Sequence, residues 1–249
     1  MEYSSALLYL FLAVLPGLLW LSFFIKRDNL PEPKIEIFKV LYFGIMVVLL
    51  AVLIEKQMLR NIDLSSPNAI YLLDSQNKPN LLFYGIKYLF IVGTIEEILK
   101  YFVVRFIILK KSCIDEPIDL PIYMITAAIG FAIGENILLL FFANPLNAPG
   151  VAIARFIGAN LLHIVCSAII GISLAMSYYY LKKRYLILFL GFVLSVAAHA
   201  LFDICLQLFI MNENSIIILA PYILTGTLSI LVLFGLRAVK KMKGVCKIN

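Results

Sequence analysis

The chain has 249 residues, of which 63% are hydrophobic and only 14% charged, with a net charge of +6 and a mean hydropathy of +0.99. A soluble domain is about half apolar and about a quarter charged, so this composition excludes the ordinary soluble classes and points to a membrane protein. The basic excess does not indicate nucleic acid as a partner, because the charges sit at the ends of apolar runs, as the positive-inside rule expects.

A helix needs roughly 20 apolar residues to span a bilayer. Seven segments qualify in chain order: about 4–25, 37–59, 81–109, 119–143, 151–180, 186–210 and 216–236. The fold expected is therefore an all-α polytopic transmembrane bundle of about seven spans. The first segment has no basic residues before it and no convincing cleavage site, so it reads as a retained span rather than a signal peptide. The third and fifth segments run long and are expected to tilt or to project into water. No soluble domain fits between the spans. The connection over 60–80 is polar and rich in turn residues. Basic residues crowd the first loop (Lys26, Arg27, Lys34), the third (Lys110, Lys111), the fifth (Lys182, Lys183, Arg184) and the tail (Arg237, Lys240, Lys241, Lys243, Lys247). The intervening loops carry few or none. That alternation places the N-terminus outside and the C-terminus in the cytoplasm. The cysteines Cys113, Cys166, Cys205 and Cys246 form no CxxC pair, so neither a disulfide framework nor a thiolate zinc site is indicated.

The informative residues are the polar ones inside the spans. A charge in the bilayer core costs a few kcal/mol on insertion scales and is tolerated where it meets a partner or a wet cavity. The third span holds Glu96, Glu97 and Lys100, the fourth Glu135 and Asn136, the fifth Arg155, Asn160 and His163, and the sixth His199 and Asp203. At 1.5 Å per residue, counting inward from the outer end of each span, Glu96, Glu135, His163, His199 and Asp203 fall in one slab roughly 12–22 Å deep. Four antiparallel helices thus point ionisable groups at one level, and both histidines of the chain lie in it. Within helices, His199 and Asp203 are i and i+4, Glu96 and Lys100 are i and i+4, and Glu97 and Lys100 are i and i+3. Each pair shares a face. Gly130 and Gly134 make a GxxxG step that lets another helix approach beside Glu135.

Plainer readings exist for each group. Glu96, Glu97 and Lys100 alone would make a structural ion-pair network. A single histidine in a span is usually a packed core residue. Arg155, near the outer end of its span, reads equally as an interface anchor or a site residue. Asn136 reads as a cap or a pair for a neighbouring helix, and Glu55, near a span end, as a carboxylate snorkelling to the interface. Two histidines beside carboxylates at one depth favour function. Two His and a carboxylate can supply the protein ligands of a catalytic zinc, leaving a position for water. Without metal, a carboxylate in a low-dielectric site can itself act as general base on water. Both routes give hydrolysis within the membrane. A proton-coupled transporter would use similar groups, although nothing marks inverted halves or paired broken helices. A non-catalytic scaffold or receptor is the third reading.

The residues also resemble a known family. Glu96-Glu97-Ile98-Leu99-Lys100 resembles the EExxK motif of the PrsW intramembrane proteases, and Phe131 to Asn136, ending in Glu135-Asn136, resembles its FxxxEN motif. Arg155, His163 and Gly171 resemble its third helix, and His199 to Asp203 its HxxxD motif. The early segment Arg27 to Pro33 and the stretch Asp115-Glu116-Pro117 with Asp119 are similar to family segments as well. The resemblance covers about residues 27–203, in order and on successive spans. It is a branch of a wider superfamily with the CAAX prenyl endopeptidases and Abi proteins. It implies a single membrane protease domain over 1–249 in the cytoplasmic membrane of a bacterium. It implies cleavage of a single-pass membrane protein, in this branch an anti-sigma factor. It implies that Glu96 and Glu97 activate water, that Glu135, His163 and His199 ligate a metal or polarise the substrate, and that Asp203, Lys100, Asn136 and Arg155 support them. Zinc is the metal the donor set would accept, and the motifs leave a metal-free glutamate mechanism open.

Overall fold

A computed structural model describes residues 3–26, 30–61, 78–109, 114–143, 148–212 and 219–242. Every element among them is helical. Eight α-helices follow in chain order: α1 (Tyr3–Ile25), α2 (Lys34–Asn61), α3 (Lys78–Ile107), α4 (Asp119–Leu138), α5 (Ala148–Ile157), α6 (Ala159–Tyr179), α7 (Arg184–Asn212) and α8 (Leu219–Lys240). A π-helical turn, Leu139–Ala143, extends α4. Among the described residues six stretches are long and apolar enough to cross a membrane, with α5 and α6 counting together as Ala148–Tyr179. The remaining expected span is α3. It has 30 residues and carries Glu96, Glu97 and Lys100 in its second half. The expected all-α polytopic bundle is the fold. Arg27, Lys110, Lys111, Cys113, Lys243, Cys246, Lys247 and most of the 60–80 connection lie outside the described residues.

The centre of the bundle is α4. It is buried from Asp119 to Gly134 and again at Asn136, because α1, α2, α3 and α6 all pack against it. Two small residues make this closeness feasible. A Cβ on Gly130 would stand 2.3 Å from the Leu41 carbonyl oxygen of α2, and one on Gly44 of α2 would stand 2.5 Å from the Ala127 carbonyl oxygen. The GxxxG step therefore does admit a helix, and that helix is α2. At the other end of α4, Gly171 of α6 lies against Pro121, where a Cβ would meet the Pro121 Cα at 2.5 Å. The core that results joins Leu21, Val40, Val104, Tyr123, Ile129, Ile164 and Leu174 across the helices.

The fifth apolar segment, expected as one helix over 151–180, is broken. Gly158 has φ −92° and ψ −96°, outside the helical well, and separates α5 from α6. The position lacks room, since a Cβ there would lie 3.3 Å from the Tyr222 ring and 3.5 Å from the Phe202 ring.

Candidate active site

Four helices place the predicted residues together. α3 supplies Glu96, Glu97 and Lys100 from successive positions facing the bundle interior, and all three are buried. α6 supplies His163 and α7 supplies His199, each 3% exposed. The two imidazole rings meet edge to face with centroids 5.2 Å apart. α4 brings Glu135 and Asn136.

Lys100 organises the interior half. Its Nζ donates to Glu97 Oε1 at 2.8 Å, to Glu96 Oε2 at 3.3 Å and to His163 Nδ1 at 2.8 Å. It also lies 4.2 Å above the Phe131 ring, a cation–π contact. The spacing put both carboxylates on the face of Lys100, and in the fold its ammonium meets both. An ammonium has only protons to give. His163 Nδ1 therefore accepts, and a neutral His163 carries its proton on Nε2, which donates to Glu135 Oε2 at 2.6 Å. The same reasoning fixes His199. Its Nδ1 lies 3.1 Å from Glu97 Oε1 and donates to that carboxylate. In the neutral ring Nε2 then holds the lone pair. Nε2 faces Glu96 Oε2 and Asp203 Oδ2, each at 3.6 Å.

The two neighbouring carboxylates differ in how firmly they are held. Glu97 is fully buried. It takes Lys100 and His199 on one oxygen and the Ser167 hydroxyl, at 3.2 Å, on the other. Glu96 has the longer Lys100 contact and stands between the two imidazoles, 3.7 Å from His163 Nδ1 and 3.6 Å from His199 Nε2.

Arg155 belongs to the site. Its Nη2 donates to Glu135 Oε2 at 3.0 Å and its Nε to Asn136 Oδ1. Arg155 and His163 are eight positions apart, about 12 Å along a straight helix, yet both meet the same Glu135 oxygen. The break at Gly158 is what allows it. The π-turn that follows Glu135 and Asn136 sits at the same place, as such turns often do at functional sites. Asn136 in turn donates to the Ala13 carbonyl of α1 at 3.2 Å and to Asn160 Oδ1 at 3.3 Å. It thus pairs with neighbouring helices as the sequence reading allows. The side chains of Glu135, Arg155 and Asp203 are 27%, 22% and 25% exposed, whereas the α3 charges are sealed. The cluster therefore has a closed interior and an open edge formed by these three residues.

Donor atoms of Glu96, Glu97, His163 and His199 all lie within 4.8 Å of one another. Carboxylate oxygens and imidazole nitrogens in that proximity fit a divalent ion such as zinc. The Lys100 ammonium already donates to three of the four, so an ion would share those donors with it, and His199 Nε2 is the lone pair left free. The sequence reading named Glu135, His163 and His199 as ligands. The compact donor group consists of the α3 carboxylates and the two histidines, and Glu135 Oε2 beside it meets Arg155 and His163. Two participants escaped the sequence reading: Ser167, a neutral residue in an apolar helix, and Glu55. Glu55 does not snorkel. Its Oε1 is enclosed with no hydrogen-bond donor on it among the described residues, and it lies within electrostatic range of Glu96 and Glu135.

A bundle of membrane-crossing helices with carboxylates and histidines gathered in its interior has the groups that hydrolysis within a membrane needs. The sequence model of the PrsW family of intramembrane metalloproteases matches residues 32–234, and the chain belongs to that family. It is a membrane protease. Among similar proteins, Protease PrsW of Geobacillus kaustophilus is 28% identical over 191 residues, covering 76% of each chain. Protease PrsW of Bacillus subtilis is 28% identical over 240 residues, covering 93% of this chain and 94% of its own. That of Oceanobacillus iheyensis is 25% identical over 209 residues, covering 84% and 86%. No solved structure matches. The bacterial relatives and the apolar helices make this a multi-pass membrane protein of bacterial type.

Proposed function

We propose that the chain cleaves a single-pass membrane protein at a peptide bond brought to the open edge of this cluster, with an anti-sigma factor as the substrate and zinc as the metal. The observation that carries this reading is the meeting of Glu96, Glu97, His163 and His199 from three helices within 4.8 Å. His199, through its free Nε2, and an α3 carboxylate would hold the ion, and His163 would join them once Lys100 releases its Nδ1 lone pair; the ion when bound lowers the pKa of a coordinated water towards neutrality.

The chain's own residues do the rest. Glu97, locked by Lys100, His199 and Ser167, holds the His199 ring in the orientation that points Nε2 into the site. Glu96, less firmly held, is the general base that removes a proton from the attacking water. The oxygen attacks the scissile carbonyl carbon, the C–N bond breaks, and Glu96 returns the proton to the departing nitrogen. Arg155 and Glu135, at the open edge, meet the substrate backbone as it enters, and Asp203 lies beside His199 Nε2 at the same edge. Assignment to the cytoplasmic membrane, with the N-terminus outside, follows from the alternating basic loops.

The substrate class is tested by co-expressing the protease with tagged single-pass proteins, an anti-sigma factor among them. Truncation of the anti-sigma factor by the wild type, absent with Glu96→Gln, supports the assignment. Truncation of other single-pass proteins alone would keep the protease and discard the anti-sigma substrate.

A further inference from the structure

A second group of oxygen donors lies at the opposite end of α4 from Glu135. Sixteen residues separate Asp119 from Glu135, about 24 Å along the helix, so the two centres are distinct. Glu32, Asp115 and Asp119 bring carboxylate oxygens within 4.8 Å of one another. They come from the segment that enters α2 and from the turn that opens α4.

The Asp119 side chain is fully buried. Its Oδ2 accepts the backbone N–H groups of Asp115 at 2.9 Å and Glu116 at 2.8 Å. That fixes the carboxylate rigidly. Its Oδ1 is enclosed, and no donor among the described residues reaches it. Glu32, 8% exposed, is pinned by the Tyr123 hydroxyl, which donates to Oε2. The turn is thus arranged to hold two buried carboxyl groups side by side, one of them with an oxygen left over. A buried acceptor without a donor is destabilising, and the neighbouring Glu32 and Asp119 carboxyl groups can share a hydrogen bond only while one of them keeps its proton. Asp115 is exposed, so the group opens to water on that side.

We infer that Glu32, Asp115 and Asp119 form a binding site for a hard divalent cation, calcium or magnesium, separate from the proteolytic centre. The donors are all oxygen, which suits these ions and not the softer ones that favour imidazole. Asp119 Oδ1 and the Glu32 carboxylate supply the buried half of the shell, and Asp115 with solvent supplies the exposed half. Occupancy clamps the start of α2 to the start of α4, the two helices whose packing at Gly130 positions Glu135.

The test uses the full-length protein, purified in detergent and stripped with chelator, then titrated with calcium chloride or magnesium chloride while its unfolding temperature is followed. One of the two ions raises the wild-type value by about 5 °C at saturation. Asp115→Asn, at an exposed position, and Asp119→Asn, which keeps an oxygen for the backbone N–H groups, each weaken the effect by at least about tenfold in ion concentration. His199→Ala responds like wild type. No shift with either ion in the wild type overturns the site. So does a shift that survives in Asp115→Asn and disappears in His199→Ala, which would place the ion in the histidine cluster.

Discussion

The Lys100 ammonium meets three acceptors and an aromatic face with no exposed surface. Removing one partner of such a buried group leaves the others uncompensated. Lys100→Met is expected to lower stability by about 3–5 kcal/mol, read from denaturant unfolding of the purified protein. Ser167 touches Glu97 only through its hydroxyl, so Ser167→Ala should fold normally. It should reduce turnover about 10–100-fold, the range for a group that orients a site residue. Removing the imidazole of His199 deletes a donor from the compact group. About one zinc per molecule is expected in gently purified wild type and a clear loss in His199→Ala, by elemental analysis. At this scale the sequence was legible wherever a charge interrupts an apolar run. Glu96, Glu97, Glu135, His163, His199 and Asp203 stand out because burying them is costly, and their i, i+3 and i, i+4 spacing gave the correct shared faces. Ser167 was not legible, since a hydroxyl in a membrane helix can bond to its own backbone and gives no cost signal. Glu55 was misread because distance from a span end says nothing about which face of the helix a carboxylate occupies.

The helices show a similar division. The Gly130–Gly134 step was readable as a close-packing signal, and α2 is the helix that fills it. A side chain at Gly130 has no room against the Leu41 carbonyl. Gly130→Val should therefore destabilise the bundle by about 1–3 kcal/mol or more and displace Glu135, giving loss of both stability and activity. Normal unfolding of that variant would contradict the packing described. The interruption at Gly158 was not readable. A lone glycine in a long apolar segment is common in membrane helices, and its role emerges only when Arg155 and His163 are seen on one Glu135 oxygen. Depth along a span can be counted from sequence, whereas helix rotation, which turned the α3 carboxylates to both histidines and Glu135 to His163 and Arg155, is set by packing.

Across the whole molecule, the common depth of the ionisable groups anticipated their convergence, and the helices do deliver them to one centre, sealed towards α3 and open at Glu135, Arg155 and Asp203. Hydrolysis at that centre is measured most directly by the cut itself. Protease and a single-pass substrate are reconstituted together in liposomes and the products are sequenced by mass spectrometry. The account predicts a new terminus within the bilayer-spanning segment or at its edge, formed by the wild type and reduced at least about 100-fold in Glu96→Gln. Cleavage at the same bond and the same rate by Glu96→Gln and His199→Ala would contradict it.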